Sequence, residues 1–281
     1  MTNYRAFIKD LFYKIRLAGV LDYLVFRSAY YRNRGKNARF RRMHPSAIIP
    51  PDYYLYETYR LDYEQFFEDG EEAAREIMLW TSGYFNHGPH RILDWGCGVS
   101  RVVVHVHKFA KAAASVYACD VNRQMVEFGR KHYKDISYAV EGPEPPTRYE
   151  SEFFDLIYGL SVFTHIKASM QEAWVRELYR ILSDRGIVLF TTHGNAFISK
   201  LLTSEKAIYE RDGVFTKSYR KEGHRMMSTY NSEESVRRLM GPYFEVVEFH
   251  DGADVTKAGG QDLWIVRKKA AEGRPQGGRK I

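Results

Sequence analysis

The chain has 281 residues, of which 44% are hydrophobic and 27% are charged. These values are typical of soluble globular proteins and exclude disordered, collagen-like and coiled-coil chains. No apolar run reaches the roughly 18 residues that a membrane-spanning helix needs. The two cysteines, Cys97 and Cys119, are too few for a disulfide framework or a structural zinc site, which predicts a reducing, cytoplasmic environment.

The net charge of +7 is unevenly distributed along the chain. Residues 1–44 contain 11 Lys or Arg and two Asp, whereas residues 265–281 contain six Lys or Arg and one Glu. The body between these two ends is therefore acidic. Nucleic-acid binding needs a basic surface across the binding face, because neutralised phosphates supply much of the affinity. The distribution predicts basic ends on an acidic body and argues against a nucleic-acid partner.

The first predicted element is a helix from Tyr4 to about Tyr31. Its apolar residues recur at spacings of three and four: Phe7, Leu11, Ile15, Ala18, Leu21 and Val25. The simplest interpretation is a helix that packs on the domain, or on a second subunit in a homo-oligomer. Because basic residues occupy its other faces, peripheral contact with an anionic membrane is the alternative. Residues 32–42 are interpreted as a solvated basic linker, so residues 1–44 form a basic extension.

A core domain is predicted for residues 45–268, with a helix over 64–85 at its start. Short apolar runs predict seven strands: Arg91–Trp95, Ser115–Cys119, Ile136–Val140, Phe153–Tyr158, Gly186–Thr191, Phe244–Phe249 and Asp262–Val266. Helical patterns alternate with them near 100–110, 122–133 and 168–182, and after the N-cap residue Ser232. This alternation is typical of a doubly wound α/β fold, a mostly parallel seven-stranded sheet with helices on both faces.

Two segments break this alternation. Residues 195–230 have mixed polarity and are predicted to be an insertion after strand five. Residues 269–281 are rich in glycine and charge, which predicts a disordered basic tail.

The clearest chemical motif follows the first strand, at Asp94–Arg101. Its glycines allow a ligand to approach the backbone closely where the strand turns into a helix. Asp120 ends the next strand, where a carboxylate can accept both hydroxyls of an adenosine ribose. A nicotinamide dinucleotide and S-adenosylmethionine both fit this pattern. S-adenosylmethionine is favoured, because Arg101 replaces a glycine of the dinucleotide fingerprint and Asp94 suits a ligand with an ammonium group.

The series of motifs resembles class I S-adenosylmethionine-dependent methyltransferases. The matching segments are Ile92–Gly98, Cys119–Asn122, Phe153–Tyr158 and Leu178–Gly186. The resemblance implies a Rossmann-like methyltransferase fold, S-adenosylmethionine as cofactor, and cofactor contacts from Asp94, Gly96, Cys97, Gly98, Asp120, Val121, Leu160 and Ser161. Ser100 departs from the family pattern at the third glycine, and residues 184–186 depart from its Pro-Gly-Gly turn. Residues 141–144 offer no evident side chain to recognise the adenine amino group.

A narrower resemblance suggests the methyl acceptor. The segments Ser161–Ile166, Thr191–Gly194 and Gln261–Asp262 are similar to methyltransferases associated with bacterial glycan assembly, which implies a sugar hydroxyl. A hydroxyl is a poor nucleophile, and a histidine that titrates near neutral pH is the expected general base. His165 and His193 follow the carboxyl ends of strands, where open α/β sheets bind ligands. Both are candidate catalytic residues, and the alternative for each is a structural histidine.

Other acceptor classes lack their motifs in this sequence. Strand four ends in Tyr158–Ser161, without the two prolines typical of adenine and cytosine amino-methyltransferases, and its loop lacks the two glutamates of protein-arginine methyltransferases. No carboxylate cluster predicts a metal site. The remaining acceptor molecules are a glycan, a lipid or another small molecule. The acceptor group on that molecule is a hydroxyl or, alternatively, an amine. A second functional class also remains open. Because Ser100 and residues 184–186 depart from the family motifs, the chain could be a cofactor-binding subunit without transferase activity.

Overall fold

The fold is described by a computed structural model for residues 18–59, 61–111, 113–218, 227–253 and 259–270. The helices are α1 (Ala18–Met43), α2 (Asp52–Tyr59), α3 (Tyr63–Thr81), α4 (Val103–Phe109), α5 (Arg123–His132), α6 (Ala168–Ile181), α7 (Thr203–Asp212) and α8 (Glu233–Met240). The strands are β1 (Arg91–Trp95), β2 (Ser115–Asp120), β3 (Ile136–Val140), β4 (Phe154–Gly159), β5 (Leu182–Thr192), β6 (Val214–Ser218), β7 (Met227–Asn231), β8 (Phe244–His250) and β9 (Asp262–Lys268). Short 3-10 helices cover Ser82–Tyr84, Phe163–His165 and Asn195–Lys200.

Seven of these strands form one sheet in the order β3-β2-β1-β4-β5-β9-β8. Strands β1 to β5 run parallel, whereas β9 runs antiparallel to both β5 and β8. The prediction of a mostly parallel, seven-stranded sheet is confirmed. The strand order reverses between β1 and β4, and a crevice at the carboxyl ends of the strands is expected at such a switch point.

The sheet is buried on both faces, because alternate residues of a strand point to opposite sides. Leu93 of β1 packs in one cluster with Trp174 of α6. Its neighbour Ile92 packs in a second cluster with Ile77 of α3 and Val103 of α4. Helices therefore cover both faces, as the sequence predicts for a doubly wound fold.

The predicted linker at residues 32–42 is wrong, because α1 continues through it. Asn37 lies on a buried side of the helix, and its amide donates a hydrogen bond to the Leu61 carbonyl at 3.0 Å. Phe40 stacks on Phe67 with ring centroids 5.3 Å apart. This stretch therefore has a side that packs on the domain. Its many basic residues are typical of a solvated linker, so the sequence pattern does not indicate this packing.

One residue of the predicted apolar face of α1 does not pack on the domain. Residues 4–17 of the predicted helix lie outside the described residues. Of the predicted apolar face, Val25 is 48% exposed. The helix packs instead through Phe26, whose ring lies 5.5 Å from that of Tyr53 and 5.4 Å from that of Tyr56. Both tyrosines belong to α2, a helix that the sequence pattern does not predict.

The predicted insertion contains secondary structure of its own. It comprises the 3-10 helix at Asn195–Lys200, α7 and the antiparallel pair β6–β7, while residues 219–226 lie outside the described residues. Helix α8 then begins after Ser232, whose hydroxyl accepts a hydrogen bond from the Ser235 amide at 3.2 Å, so the predicted N-cap is confirmed. Of the predicted tail, residues 271–281 lie outside the described residues.

Candidate functional site

A cavity of about 370 Å³ opens at the carboxyl ends of β1, β2 and β4. Its lining includes every residue that the resemblance implies for cofactor binding: Asp94, Gly96, Cys97, Gly98, Asp120, Val121, Leu160 and Ser161. The candidate base His165 also lines the cavity, whereas His193 lies outside the lining. The structure thus brings the eight predicted cofactor residues to one site and separates the two histidines.

The turn between β1 and α4 forms one wall of this cavity. Gly96 and Gly98 have φ angles of +82° and +51°, in the left-handed region that favours glycine. A Cβ atom on Gly96 would lie 2.5 Å from Cγ2 of Val162, so a larger residue would collide with it. The Gly96 amide donates to the Cys119 carbonyl at 2.8 Å, which fixes the turn to the end of β2.

Ser100 stands where the family has its third glycine and adopts φ +70°. It is buried, and its hydroxyl oxygen accepts a hydrogen bond from the Tyr138 hydroxyl at 2.8 Å. A left-handed conformation is unfavourable for a residue with a Cβ atom. The hydrogen bond to β3 offsets that penalty and explains how a serine is accommodated here.

Two substitutions of Ser100 are expected to separate these contributions. Ser100→Ala loses the hydrogen bond and keeps the backbone strain, which should lower the free energy of unfolding by about 1–2 kcal/mol. Ser100→Gly loses the same bond but relieves strain of about 1–2 kcal/mol, so it should stay within about 1 kcal/mol of the wild type. Urea unfolding of both variants measures the difference, and equal losses would contradict this explanation.

Asp120 connects the two loops that border the cavity. Its Oδ2 accepts a hydrogen bond from the Gly98 amide at 2.9 Å, and its Oδ1 accepts one from the Asn122 amide at 2.7 Å. Burial raises the pKa of this carboxyl, and the backbone amide bonds oppose that rise. The carboxylate is held in a fixed orientation at the end of β2 and retains lone pairs for the hydroxyls of a ligand.

Asp94 is a second buried carboxyl on the cavity wall, with 4% of its surface exposed. Burial raises the pKa of Asp94 to about 7, against the effect of the nearby Tyr158 hydroxyl. Within the described part of the chain, that hydroxyl is buried and makes no hydrogen bond of normal geometry. A cation beside Asp94 would favour the ionised form of its carboxyl. The position therefore suits the ammonium group of a ligand.

His165 has the geometry of a positioned base. Its Nδ1 lies 2.7 Å from the Met227 carbonyl oxygen at the start of β7. Because a carbonyl oxygen only accepts hydrogen bonds, Nδ1 carries the proton, and the lone pair of the neutral ring is on Nε2.

His193 lies in different surroundings. Its ring stacks on Phe197, with centroids 4.2 Å apart, and lies 5.3 Å from the ring of Tyr230. The pKa of His193 is lowered to about 3, mainly by burial and in smaller part by the charges of His165 and Lys200. A base that titrates near neutral pH is expected from the sequence, and His193 does not meet that expectation.

The sequence does not reveal several residues that line the cavity: Glu57, Thr58, Gly142, Pro143 and Trp174. The first two come from α2, which is anchored beside the cavity by a 2.5 Å hydrogen bond from the Tyr54 hydroxyl to Oε1 of Gln124. The run of tyrosines in α2 is the signal that could have identified it. Gly142 and Pro143 lie in the segment where no adenine-recognising side chain is evident, and they offer backbone groups and an apolar surface.

Comparison with known proteins agrees with this geometry. Residues 93–190 match a family model described as a methyltransferase domain. The malonyl-(acyl-carrier protein) O-methyltransferase of Bacillus cytotoxicus is 26% identical over 172 residues, which cover 60% of this chain. The same alignment covers 58% of that relative, so the chain spans less than two thirds of its length.

Solved structures share the fold at low sequence identity. An S-adenosylmethionine-dependent methyltransferase from Methanosarcina mazei superposes with a TM-score of 0.53 at 16% identity, covering 67% of this chain and 96% of that chain. A 1,6-didemethyltoxoflavin-N1-methyltransferase from Burkholderia thailandensis, with bound S-adenosylhomocysteine, gives a TM-score of 0.51 at 13% identity, covering 80% and 93%. The sheet has the Rossmann-like methyltransferase fold. The match of residues 93–190 to a methyltransferase domain, the shared fold and the cavity together indicate S-adenosylmethionine as the cofactor.

Proposed function

We propose that this chain is an O-methyltransferase that transfers a methyl group to a hydroxyl of a sugar, a glycan or a related small molecule. The observation that carries the proposal is the placement of His165 on the cavity wall, with Nδ1 bonded to the Met227 carbonyl. A base at this edge of the cofactor cavity is what a hydroxyl acceptor requires. The Bacillus cytotoxicus relative is also named for transfer to oxygen.

The residues of the cavity fit the cofactor chemically. When bound, S-adenosylmethionine supplies a methyl group on a positively charged sulfur, open to in-line displacement. Asp120 is placed to accept hydrogen bonds from ribose hydroxyls, and Asp94 to pair with the ammonium group. Gly96 carries no side chain, so the ligand can approach the backbone of the turn closely. These side chains bind and orient the cofactor. A separate group, on the acceptor side of the cavity, must take up the proton of the acceptor hydroxyl.

His165 performs that proton transfer in our proposal. Nε2 removes the proton of the acceptor hydroxyl as the oxygen becomes methylated. The hydrogen bond from Nδ1 to Met227 holds the ring in the required tautomer and stabilises the charged ring that forms.

The choice of a sugar hydroxyl rests on three segments that resemble methyltransferases associated with glycan assembly. Gln261 joins one residue from each of the other two segments. Its side-chain oxygen accepts a hydrogen bond from Thr191 Oγ1 at 2.6 Å and lies 3.1 Å from Ser161 Oγ. The Ser161 amide also donates to Thr191 Oγ1 at 2.8 Å. This network joins the three segments and holds the loop that carries His165, which supports our proposal that they bind the acceptor together.

A methyl-transfer assay tests the proposal. The full chain is incubated with S-adenosylmethionine carrying a labelled methyl group and with separate panels of glycans, lipids and amines. We expect label in a glycan or sugar product, bound through oxygen. Label only in an amine would contradict the oxygen acceptor, and label only in a lipid that lacks a sugar would contradict the sugar. Cofactor binding without transfer to any panel would favour a binding subunit.

Cofactor affinity is expected to depend on pH through Asp94. A pKa of about 7 leaves this carboxyl protonated in the free protein at lower pH. The bound ammonium group lowers that pKa, so binding is strongest above pH 7 and weakens as the pH falls, by up to about tenfold per pH unit. Isothermal titration with S-adenosylhomocysteine from about pH 5.5 to pH 8 measures this trend. Asp94→Asn should bind weakly and with a flatter profile than the wild type, and a wild-type profile no steeper than that of Asp94→Asn would contradict the role of Asp94.

A further inference from the structure

Helix α1 has an exposed apolar stripe. Four large apolar or aromatic side chains of the stripe are between 55% and 59% exposed: Val20, Tyr23, Leu24 and Tyr31. Their spacing of three, four and seven residues places them on one side of the helix. Two other exposed apolar side chains of this helix, Val25 and Met43, lie outside the stripe. The side that packs on the domain, through Phe26, Asn37 and Phe40, lies opposite. We call the exposed side the outer face of α1.

The outer face is basic as well as apolar. Arg27 and Arg34 fall on it by the same helical spacing, and the Arg27 guanidinium lies 4.9 Å from the Tyr31 ring centroid. In the last turn of the helix, Arg42 falls on the same side, whereas Arg41 is turned to the domain, where its guanidinium donates a hydrogen bond to the Tyr63 hydroxyl at 2.6 Å. The one acidic residue of the described helix, Asp22, is turned to the packed side, where its Oδ1 accepts a hydrogen bond from a tyrosine of α2 at 2.9 Å. The outer face thus combines apolar side chains with arginines and carries no acidic residue of the described helix.

We propose that the outer face of α1 binds the surface of an anionic lipid bilayer. A helix that lies in the plane of the membrane interface buries apolar side chains at the headgroup boundary, and basic residues beside them attract anionic lipid. Arginine stems extend along apolar surface while their heads reach phosphate groups. Among the helices of the described ranges, none is long and apolar enough to cross a membrane. The contact is therefore peripheral.

A second copy of the chain is a poorer partner for this face. A two-fold symmetric contact would bring the same surface together from both subunits. Arg27 and Arg34 of one copy would then approach those of the other, and like charges in a contact are unfavourable. A lipid surface of opposite charge avoids this repulsion.

The position of α1 connects this contact to the active site. Its packed side contacts α2 through Phe26, and α2 supplies Glu57 and Thr58 to the cavity wall. Binding through the outer face would therefore hold the domain that carries the cavity at the lipid surface. This inference does not depend on the identity of the acceptor.

Vesicle sedimentation of the full chain tests the proposal. The probes are vesicles of neutral phosphatidylcholine, and vesicles in which about a third of the lipid is anionic phosphatidylglycerol. We expect co-sedimentation with the anionic vesicles at least tenfold stronger than with the neutral ones, and a decrease as salt is raised. Equal binding to both vesicle types, or none to either, would overturn the proposal.

Matched substitutions locate the contact. Leu24→Gln should weaken binding about tenfold, and Arg27→Gln with Arg34→Gln about 25-fold together, since each basic residue contributes about fivefold. The controls are Leu79→Gln on α3, where Leu79 is 62% exposed, and Arg176→Gln on α6, where the side chain is also 62% exposed.

The controls also separate binding from folding and self-association. All variants should retain wild-type affinity for S-adenosylhomocysteine, which shows that the domain is folded. If the control substitutions weaken vesicle binding as much as those on α1, the outer face is not the contact. If Leu24→Gln leaves vesicle binding unchanged but converts a dimer to a monomer in sedimentation velocity, a second copy of the chain covers this face.

Discussion

His165→Ala is expected to lower kcat by about 10²- to 10⁴-fold on the acceptor that the transfer assay identifies. His165 lines the cavity, and its bond to Met227 keeps the lone pair of the neutral ring on Nε2. Removing the base leaves a hydroxyl that must be methylated without assistance in losing its proton. Because His165 is assigned to the acceptor and not to the cofactor, the affinity for S-adenosylhomocysteine should change by less than about threefold.

Two further histidine variants complete this experiment. His132→Ala, on the exposed side of α5, should leave kcat unchanged. His193→Ala should reduce stability more than turnover, because its ring is stacked on Phe197 inside the insertion. Loss of turnover in the His193 variant, with a near-normal rate for the His165 variant, would contradict our assignment of the base.

Asp120→Ala should weaken cofactor binding by about 10- to 150-fold, equivalent to about 1.5–3 kcal/mol. The substitution removes the carboxylate that we assign to the ribose hydroxyls. It also leaves the amides of Gly98 and Asn122 without their acceptor, which loosens both loops beside the cavity. Isothermal titration with S-adenosylhomocysteine measures the loss.

Two controls distinguish a lost contact from a lost fold. Asp135→Ala removes an exposed carboxylate on the loop before β3 and should bind like the wild type. Circular dichroism and thermal unfolding of Asp120→Ala should show a folded domain, since the sheet is built from other residues. Unchanged affinity in a folded Asp120→Ala protein would contradict the ribose assignment.

The cofactor side of the site could be predicted from the sequence because it depends on local geometry. The glycines of the β1–α4 turn, Asp94 before them and Asp120 at the end of β2 are each set by a strand end and its turn. Strand ends of a parallel sheet meet at one edge, so these local motifs come together once the sheet order is known. All eight predicted residues accordingly line one cavity.

The acceptor side depends on long-range packing, which the sequence does not display. His165 and His193 look equivalent as residues at strand ends. In the structure, Phe197 and Tyr230 enclose His193, whereas β7 supplies the Met227 carbonyl that orients His165. Both contacts come from the insertion, whose arrangement the broken sequence pattern does not reveal.

The same reason explains the errors at the N-terminal end. Residues 32–42 have the composition of a solvated linker, and their buried side becomes evident only with its partners. Asn37 bonds to the Leu61 carbonyl, and Phe40 stacks on Phe67, more than twenty residues further along the chain. Helix α2 is short and has no periodic apolar pattern of its own. Its two cavity residues, Glu57 and Thr58, could therefore not be predicted either.

The central claim is that one cavity binds S-adenosylmethionine and presents its methyl group to His165. A crystal structure of the full chain with S-adenosylhomocysteine tests it most directly. We expect the ribose hydroxyls on the Asp120 carboxylate, the ammonium group beside Asp94, and the sulfur facing the side of the cavity that His165 lines. A ligand bound away from Asp120, or a sulfur directed away from His165, would contradict the account.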